Sequence, residues 1–266
     1  MEKLDYLINY LLRENKDINI DKIPNDIQSK KRLYRSLCNI RELKPIEDKY
    51  IQIENEYLQE ELKNKQITKI ENIKTVLEEF PSSSIKHKDK ICLWRGDITT
   101  LEIDAIVNAG NSQGLGCFIP LHRCIDNQIN SNAGVLLRLA CNEIMKEKDY
   151  NLETSEVICT KGFNLPSKYI IQTVGPIIYD EVSNKEEREL SNCYINSLKL
   201  AIEKGIKTIA FPCISTGEFR FPKEKASKLA IMAVSEFLDK YFNKFEKVVF
   251  NVYSEEDYKI YEQNIK

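Results

Sequence analysis

Two cysteines and a histidine fall within the short run Cys117-Phe118-Ile119-Pro120-Leu121-His122-Arg123-Cys124. The chain has only two histidines, and this one sits between the thiols. His122 and Cys124 are two residues apart, so in an extended segment their side chains point to the same side. Cys117 lies five residues before His122, with Pro120 placed to turn the chain back. Two thiolates and an imidazole suit a zinc ion. Three protein ligands also leave the fourth tetrahedral position open, which marks a catalytic rather than a structural site. The spacing is not that of a common zinc finger, so three unrelated buried side chains stand as the alternative.

Three further segments have chemistry to offer. In Trp94-Arg95-Gly96-Asp97-Ile98-Thr99 an apolar strand ends and a carboxylate follows at once. Asp97 there can accept from an exocyclic amine such as that of adenine, or simply cap a short helix. In Asp104-Ala105-Ile106-Val107-Asn108-Ala109-Gly110-Asn111 a buried strand runs into small residues flanked by asparagines. Small residues let backbone approach a ligand, and asparagine both donates to and accepts from ribose hydroxyls. In Phe211-Pro212-Cys213-Ile214-Ser215-Thr216-Gly217-Glu218-Phe219 a strand opens into a loop whose successive N–H groups can converge on a diphosphate. Phe219 can then cover a ribose or ring face. Each of these, taken alone, reads as an ordinary turn or loop.

The elements that must hold these segments differ between the two parts of the chain. Residues 1 to about 80 contain no glycine and repeat apolar residues at helical spacing: Leu4, Ile8, Leu11 and Leu12, then Ile46, Tyr50, Ile53, Tyr57 and Leu58. Three or four helices are expected there. The segment Phe80-Pro81-Ser82-Ser83-Ser84 reads as a linker. Beyond it lie all nine glycines. Strands are expected at Ile91–Trp94, Ala105–Asn108, Glu156–Thr160, Tyr169–Val174, Thr208–Phe211 and Val248–Val252, and helices at about 132–147, 186–204, 223–240 and 255–264. Strands alternating with helices predict an α/β layered domain with a largely parallel sheet. Ligands of such sheets bind in the loops after the strands, here those after Ala105–Asn108, Tyr169–Val174 and Thr208–Phe211.

Composition narrows the partners. A formal net charge of -2 with no basic stripe gives no footprint for nucleic-acid binding. No uncharged apolar run approaches the ~20 residues of a membrane span. Glu2 and Asp5 interrupt any signal-peptide order, so a cytoplasmic protein is expected, with its eight cysteines as thiols or metal ligands rather than disulfides. His87, in the linker region, reads as an incidental surface residue.

Gly96–Thr99, Asn108–Asn111, Gly114–Gly134 and Ser215–Phe219, in that order, with a strand before the first, second and last, resemble the macrodomain family. The resemblance covers about residues 88 to 266. It implies a macrodomain three-layer α/β/α sandwich with a mixed, largely parallel sheet, divided here into a helical N-terminal extension (1–80) and the macrodomain (81–266). The cysteine–histidine–cysteine insertion, followed by Ile125-Asp126-Asn127, is similar to the zinc-dependent macrodomains of bacteria and fungi, which are hydrolases removing ADP-ribose from modified proteins. Some of them accompany a sirtuin-type ADP-ribosyltransferase and a lipoyl-carrier protein.

Residue by residue, the resemblance implies that Asp97 and the Ile98 backbone hold adenine. The backbone of Ser215, Thr216, Gly217, Glu218 and Phe219 holds the diphosphate, and Asn111 contacts the distal ribose. Ile125 and Asp126 line the substrate, with one zinc ion per chain on Cys117, His122 and Cys124. Asp126 and Asn111 are the expected catalytic residues, Asp126 positioning or deprotonating the attacking water; as a structural alternative, Asp126 caps the helix that follows. Two residues depart from the family pattern. Gly110 replaces an alanine, which should loosen the turn, and Asn130 stands where a histidine is frequent. The expected substrate is a mono-ADP-ribosylated protein and the expected state a monomer. A non-catalytic ADP-ribose reader, and a hydrolase of small derivatives such as O-acetyl-ADP-ribose, are the rival readings.

Overall fold

The computed structural model describes residues 2–15, 18 and 22–266. Three helices come first, α1 (Glu2–Glu14), α2 (Ile27–Ile40) and α3 (Asp48–Lys63), followed by β1 (Thr68–Lys69) and a short α4 (Val76–Glu79). Then come β2 (Ile91–Arg95), β3 (Leu101–Glu102), β4 (Ala105–Gly110), α5 (Ile125–Ala133), α6 (Val135–Lys146), β5 (Val157–Lys161), β6 (Tyr169–Val174), α7 (Asn184–Glu203), β7 (Thr208–Phe211), α8 (Lys223–Tyr241), β8 (Lys247–Val252) and α9 (Glu255–Ile265).

Six strands form one sheet in the order β2-β8-β7-β4-β6-β5. All neighbours are parallel except β5, which runs antiparallel to β6. The strands are buried on both faces, and successive residues serve different cores. Ile91, Leu93, Ala105, Val107, Ile209, Phe211, Val248 and Phe250 pack under α7, α8 and α9. Cys92, Ile106, Ala210 and Val249 face α5 and α6 on the other side. The three-layer α/β/α sandwich with a largely parallel sheet is therefore realised.

The N-terminal helices bury Leu4, Leu7, Ile8, Leu11, Leu37, Tyr50, Tyr57 and Leu58 in a third cluster, which includes Val135 at the start of α6. Their apolar stripes follow the helical spacing of the sequence. Residues past α3 join the sheet side. β1 pairs with β3, Ile70 and Ile73 enter the α5–α6 core, and Val76 of α4 enters the α7–α9 core.

Three expectations need correction. The single helix at 132–147 is two helices, α5 and α6, meeting at Gly134, whose φ of 91° breaks the helix. The serine run is docked rather than a free linker, because buried Ser83 donates its hydroxyl to the Ile265 carbonyl oxygen at the C-terminal end of α9. His87 is not incidental. Its Nε2 lies 2.8 Å from Asp239 Oδ1 and its ring packs 5.3 Å from that of Phe242, tying the approach to β2 onto α8. No helix among the described residues is long and apolar enough to cross a membrane.

Candidate active site

The loops that follow β2, β7 and β4 share the carboxyl edge of the sheet. With β8 between β2 and β7, the sheet order spaces β2 from β4 by three strand intervals, about 14 Å at the usual strand separation. The three sequence motifs are thereby set out along one line: Asp97 after β2, the Ser215–Phe219 loop after β7, and the cysteine–histidine loop after β4.

At the β2 end, Asp97 is exposed and Oδ1 accepts from Thr99 N at 2.9 Å and Thr99 Oγ1 at 2.7 Å. One carboxylate oxygen thus caps the short 3₁₀ turn Ile98–Thr100 and the other remains available. The capping reading of this aspartate is therefore realised. Ile98 is buried and its N–H has no partner among the described residues. Tyr253, which the sequence reading missed, follows β8 directly. It is 80% exposed, and Val252 O accepts from Gly96 N at 3.0 Å, so its backbone lies beside the Gly96–Asp97 turn. An aromatic immediately after the last strand was the available signal.

In the β7 loop, Ser215 adopts a left-handed φ of 65°. The loop is pinned by Phe221 N donating to Ser215 O (2.9 Å), Arg220 N to Gly217 O (3.0 Å) and Ile178 N to Phe219 O (2.9 Å). The N–H groups of Ser215, Gly217, Glu218 and Phe219 have no partner among the described residues, as an anion nest requires. Ser215 Oγ is buried and unpartnered. Gly175 lies directly against it: a Cβ there would come within 2.0 Å of that oxygen. Gly175 escaped the sequence reading, although the loop after β6 was one of the expected ligand positions.

The metal-type residues do converge. One ligand atom each from Cys117, His122 and Cys124 lies within 4.8 Å of the others, and Cys117 Sγ is 3.6 Å from His122 Nδ1. Tetrahedral zinc with ordinary bond lengths separates S and N ligands by about 3.5–3.8 Å, so the donor set fits such an ion. His122 Nε2 faces outward, 3.4 Å from Glu218 Oε1 of the β7 loop. Burial pushes the Cys124 thiol up to about 12, with the neighbouring Cys117 adding to the rise and Asn127 N–H opposing it. A divalent cation between the thiols is the ordinary means of holding them as thiolates.

Asp126 follows Cys124 by two residues, in the first turn of α5. The helix cap is not Asp126 but Cys124, whose Sγ accepts from Asn127 N at 3.4 Å; the alternative reading of Asp126 as a cap is therefore wrong. Asp126 sits in the first turn of α5 and is 4% exposed. Its Oδ1 accepts from Asn108 Nδ2 (2.8 Å) and Asn130 Nδ2 (2.9 Å). Burial pushes its carboxyl up to about 6 against the pull of the Asn108 amide, the Arg138 charge and the Asn130 amide. Asn130, in the position of the frequent histidine, here orients the aspartate. Ile125 is half-buried beside it.

Asn111 shapes the loop as well as facing it. Its Oδ1 accepts from Gln113 N at 3.0 Å and its Nδ2 is 3.4 Å from Gly116 O. Gly110 does not loosen a turn, since it is the last residue of β4, opposite Val174. An alanine Cβ there would approach the Gln172 amide to 3.2 Å, so the glycine makes room for that buried side chain. Gln172 in turn accepts from Asn108 Nδ2 at 3.3 Å.

Residues 107–230 match the family model described as "Macro domain". Over 260 residues the chain is 43% identical to a protein-ADP-ribose hydrolase of Treponema medium, covering 98% of this chain and 97% of that protein. It is 43% identical over 194 residues to a probable bifunctional ADP-ribose hydrolase/ADP-ribosyltransferase of Fusarium oxysporum f. sp. cubense, covering 68% of this chain and 32% of that protein. Among solved structures it is similar to the Trypanosoma brucei macrodomain in complex with ADP-ribose, with a TM-score of 0.66 and 29% identity over 87% of this chain and 95% of that one.

Proposed function

The chain belongs to the macrodomain family, and from that premise we propose that it is a zinc-dependent hydrolase removing mono-ADP-ribose from modified protein side chains. The observation that carries this reading is the convergence of Cys117, His122 and Cys124 at the β4 end of a row of nucleotide-type loops. A reader module needs the row but not the metal donors.

In this reading the free Asp97 oxygen and the Ile98 N–H take the adenine edge, and the exposed Tyr253 ring stacks on it. The open amides of Ser215, Gly217, Glu218 and Phe219, with Thr216 completing the loop, hold the diphosphate, and the orphaned Ser215 hydroxyl donates to it. Phe219 closes over the ribose. Asn111 takes the distal ribose by exchanging its long contact to Gly116 O, and Ile125 lines the same end. Cys117, His122 and Cys124 hold one zinc ion per chain, which when bound supplies Lewis acidity at the ribose end. Asp126 Oδ1 is occupied by two asparagine amides. Its Oδ2 is the oxygen that orients the attacking water and accepts its proton.

The finer substrate is a lipoyl-carrier protein modified by a sirtuin-type transferase; the Fusarium relative, named as both hydrolase and transferase, supports pairing with a transferase. We place the protein in a bacterial cytoplasm as a monomer, with residues 1–80 as its extension. The deciding experiment is turnover of a mono-ADP-ribosylated protein with and without a chelator. Release of free ADP-ribose that stops with the chelator and returns with zinc supports the reading. Tight ADP-ribose binding without release would leave a reader. Faster turnover of O-acetyl-ADP-ribose than of any modified protein would replace the protein substrate with the small one.

A further inference from the structure

The metal loop does not stand on its own strand and helix alone. Helix α2, more than eighty residues earlier in sequence, reaches it through two side chains one turn apart on the same face. Arg35 Nη2 donates to His122 O at 3.0 Å and to Asn127 Oδ1 at 2.6 Å, with Nε adding a second bond to Asn127 at 3.2 Å. Asn127 passes the restraint on, its Nδ2 donating to Ile119 O at 3.0 Å. Asn39, fully buried, accepts from Leu121 N at 3.0 Å and donates to Ser131 Oγ at 3.2 Å. Leu121 has a φ of 57°, costly for a leucine, and the Asn39 bond holds that strained turn immediately before His122.

A third connection comes from the opposite direction. Buried Arg138 of α6 donates to Cys38 O, Asn39 O and Arg41 O, carbonyls at the C-terminal end of α2. The same guanidinium donates to Leu115 O at 2.9 Å and Cys117 O at 3.2 Å, and lies 4.1 Å from the centre of the Phe118 ring. The backbone on both sides of the donor set is thus fixed to α2. Ligand geometry within a few tenths of an ångström decides metal affinity, and groups that orient ligands contribute heavily to it.

We infer that α2 is a working part of the metal centre: Arg35 and Asn39 are positioning residues that hold the loop in its ligating shape. This rests on the reading of Cys117, His122 and Cys124 as metal ligands. It gives the N-terminal helices a role in the reaction rather than in substrate docking or bulk stability.

The test is zinc affinity of the full chain, measured by competition with a chromogenic chelator, alongside ADP-ribose affinity by calorimetry and hydrolysis kinetics. Arg35→Ala and Asn39→Leu should each weaken zinc binding about tenfold or more and lower kcat, while KM and ADP-ribose affinity stay within about twofold. Asn39→Asp, which keeps the acceptor for Leu121 N, should recover most of the loss. Tyr34→Phe removes a bond from Tyr34 to Glu54 inside the helical layer without touching the loop. It controls for plain destabilisation and should lower Tm with zinc affinity unchanged. Wild-type zinc affinity in both Arg35→Ala and Asn39→Leu, or an equal loss in Tyr34→Phe, would overturn the inference and leave the metal site standing. A wild-type chain that takes up no zinc would overturn both.

Discussion

The two ends of the cleft are built by different means. At the end proposed for the nucleotide, the geometry is local: Asp97 caps its own turn through Thr99 two residues away, and the β7 loop exposes consecutive backbone amides held by bonds within 215–221 and to Ile178. At the end proposed for the metal, side chains would supply the donors, and the loop that carries them is fastened by α2 partners 82 and 87 residues distant in sequence. Backbone amides at a strand end come preset by the sheet, whereas three side-chain donors on a loop converge only if the loop is restrained from outside.

If the metal end performs the chemistry and the nucleotide end only binds, removing any one donor should separate the two. Cys117→Ala, His122→Ala and Cys124→Ala are each expected to lower hydrolysis by about 10³-fold or more, the scale of several kcal/mol of transition-state stabilisation. ADP-ribose affinity by calorimetry should change only a few-fold. Retained turnover in metal-free buffer would break the comparison outright.

Asp126→Asn keeps the shape and an oxygen for the Asn108 and Asn130 amides but removes the base. A fall in kcat of about 10²–10⁴-fold with zinc content unchanged is expected. A loss of zinc instead would make Asp126 a support of the metal rather than of the water.

Asp97→Ala should act at the other end alone. Loss of a charged acceptor weakens ADP-ribose binding by about tenfold or more, raising KM with little change in kcat on saturating substrate. Because Asp97 also caps the 3₁₀ turn, Asp97→Asn separates the roles, keeping the cap while removing the charge. Unchanged affinity in both variants would dismiss adenine from this position.

The smallest effect concerns the helical layer behind the metal loop. Glu54 is fully buried, accepting from Tyr34, Tyr50 and the Val135 N–H, and burial holds its carboxyl above the ordinary value. A carboxyl raised on folding contributes stability below its unfolded pKa, and that contribution is lost as pH rises through the folded pKa. The Tm difference between Glu54→Gln and wild type should therefore move in favour of glutamine between pH 5 and 8. A difference that does not vary with pH would show that the folded and unfolded values are alike.

Much of this was readable in advance because it depends on short-range pattern. Helical spacing in residues 4–12 and 46–58 located α1 and α3, although α3 starts only at Asp48 and runs on to Lys63, and the β-rich runs placed β2 and β4–β8 to within two residues. Gly134 was misread because a glycine inside an apolar helical pattern looks tolerable until its φ is known. Gly110 was misjudged because its reason for being glycine, the Gln172 side chain, lies on the neighbouring strand. The Cys124 cap, Asn108 and Asn130 on Asp126, and Gly175 under Ser215 all depend on pairs that meet only after the sheet has formed.

By itself the sequence determined the layered α/β class, the order of the strand-end loops and which three residues could hold a metal ion, since residue type and local period suffice for each. The tertiary structure alone decided that those loops stand in one row, that the three candidate donors converge, and that α2 is hydrogen-bonded to their loop. Strand order and long-range hydrogen bonds are set by which surfaces bury together, and no local spacing encodes that.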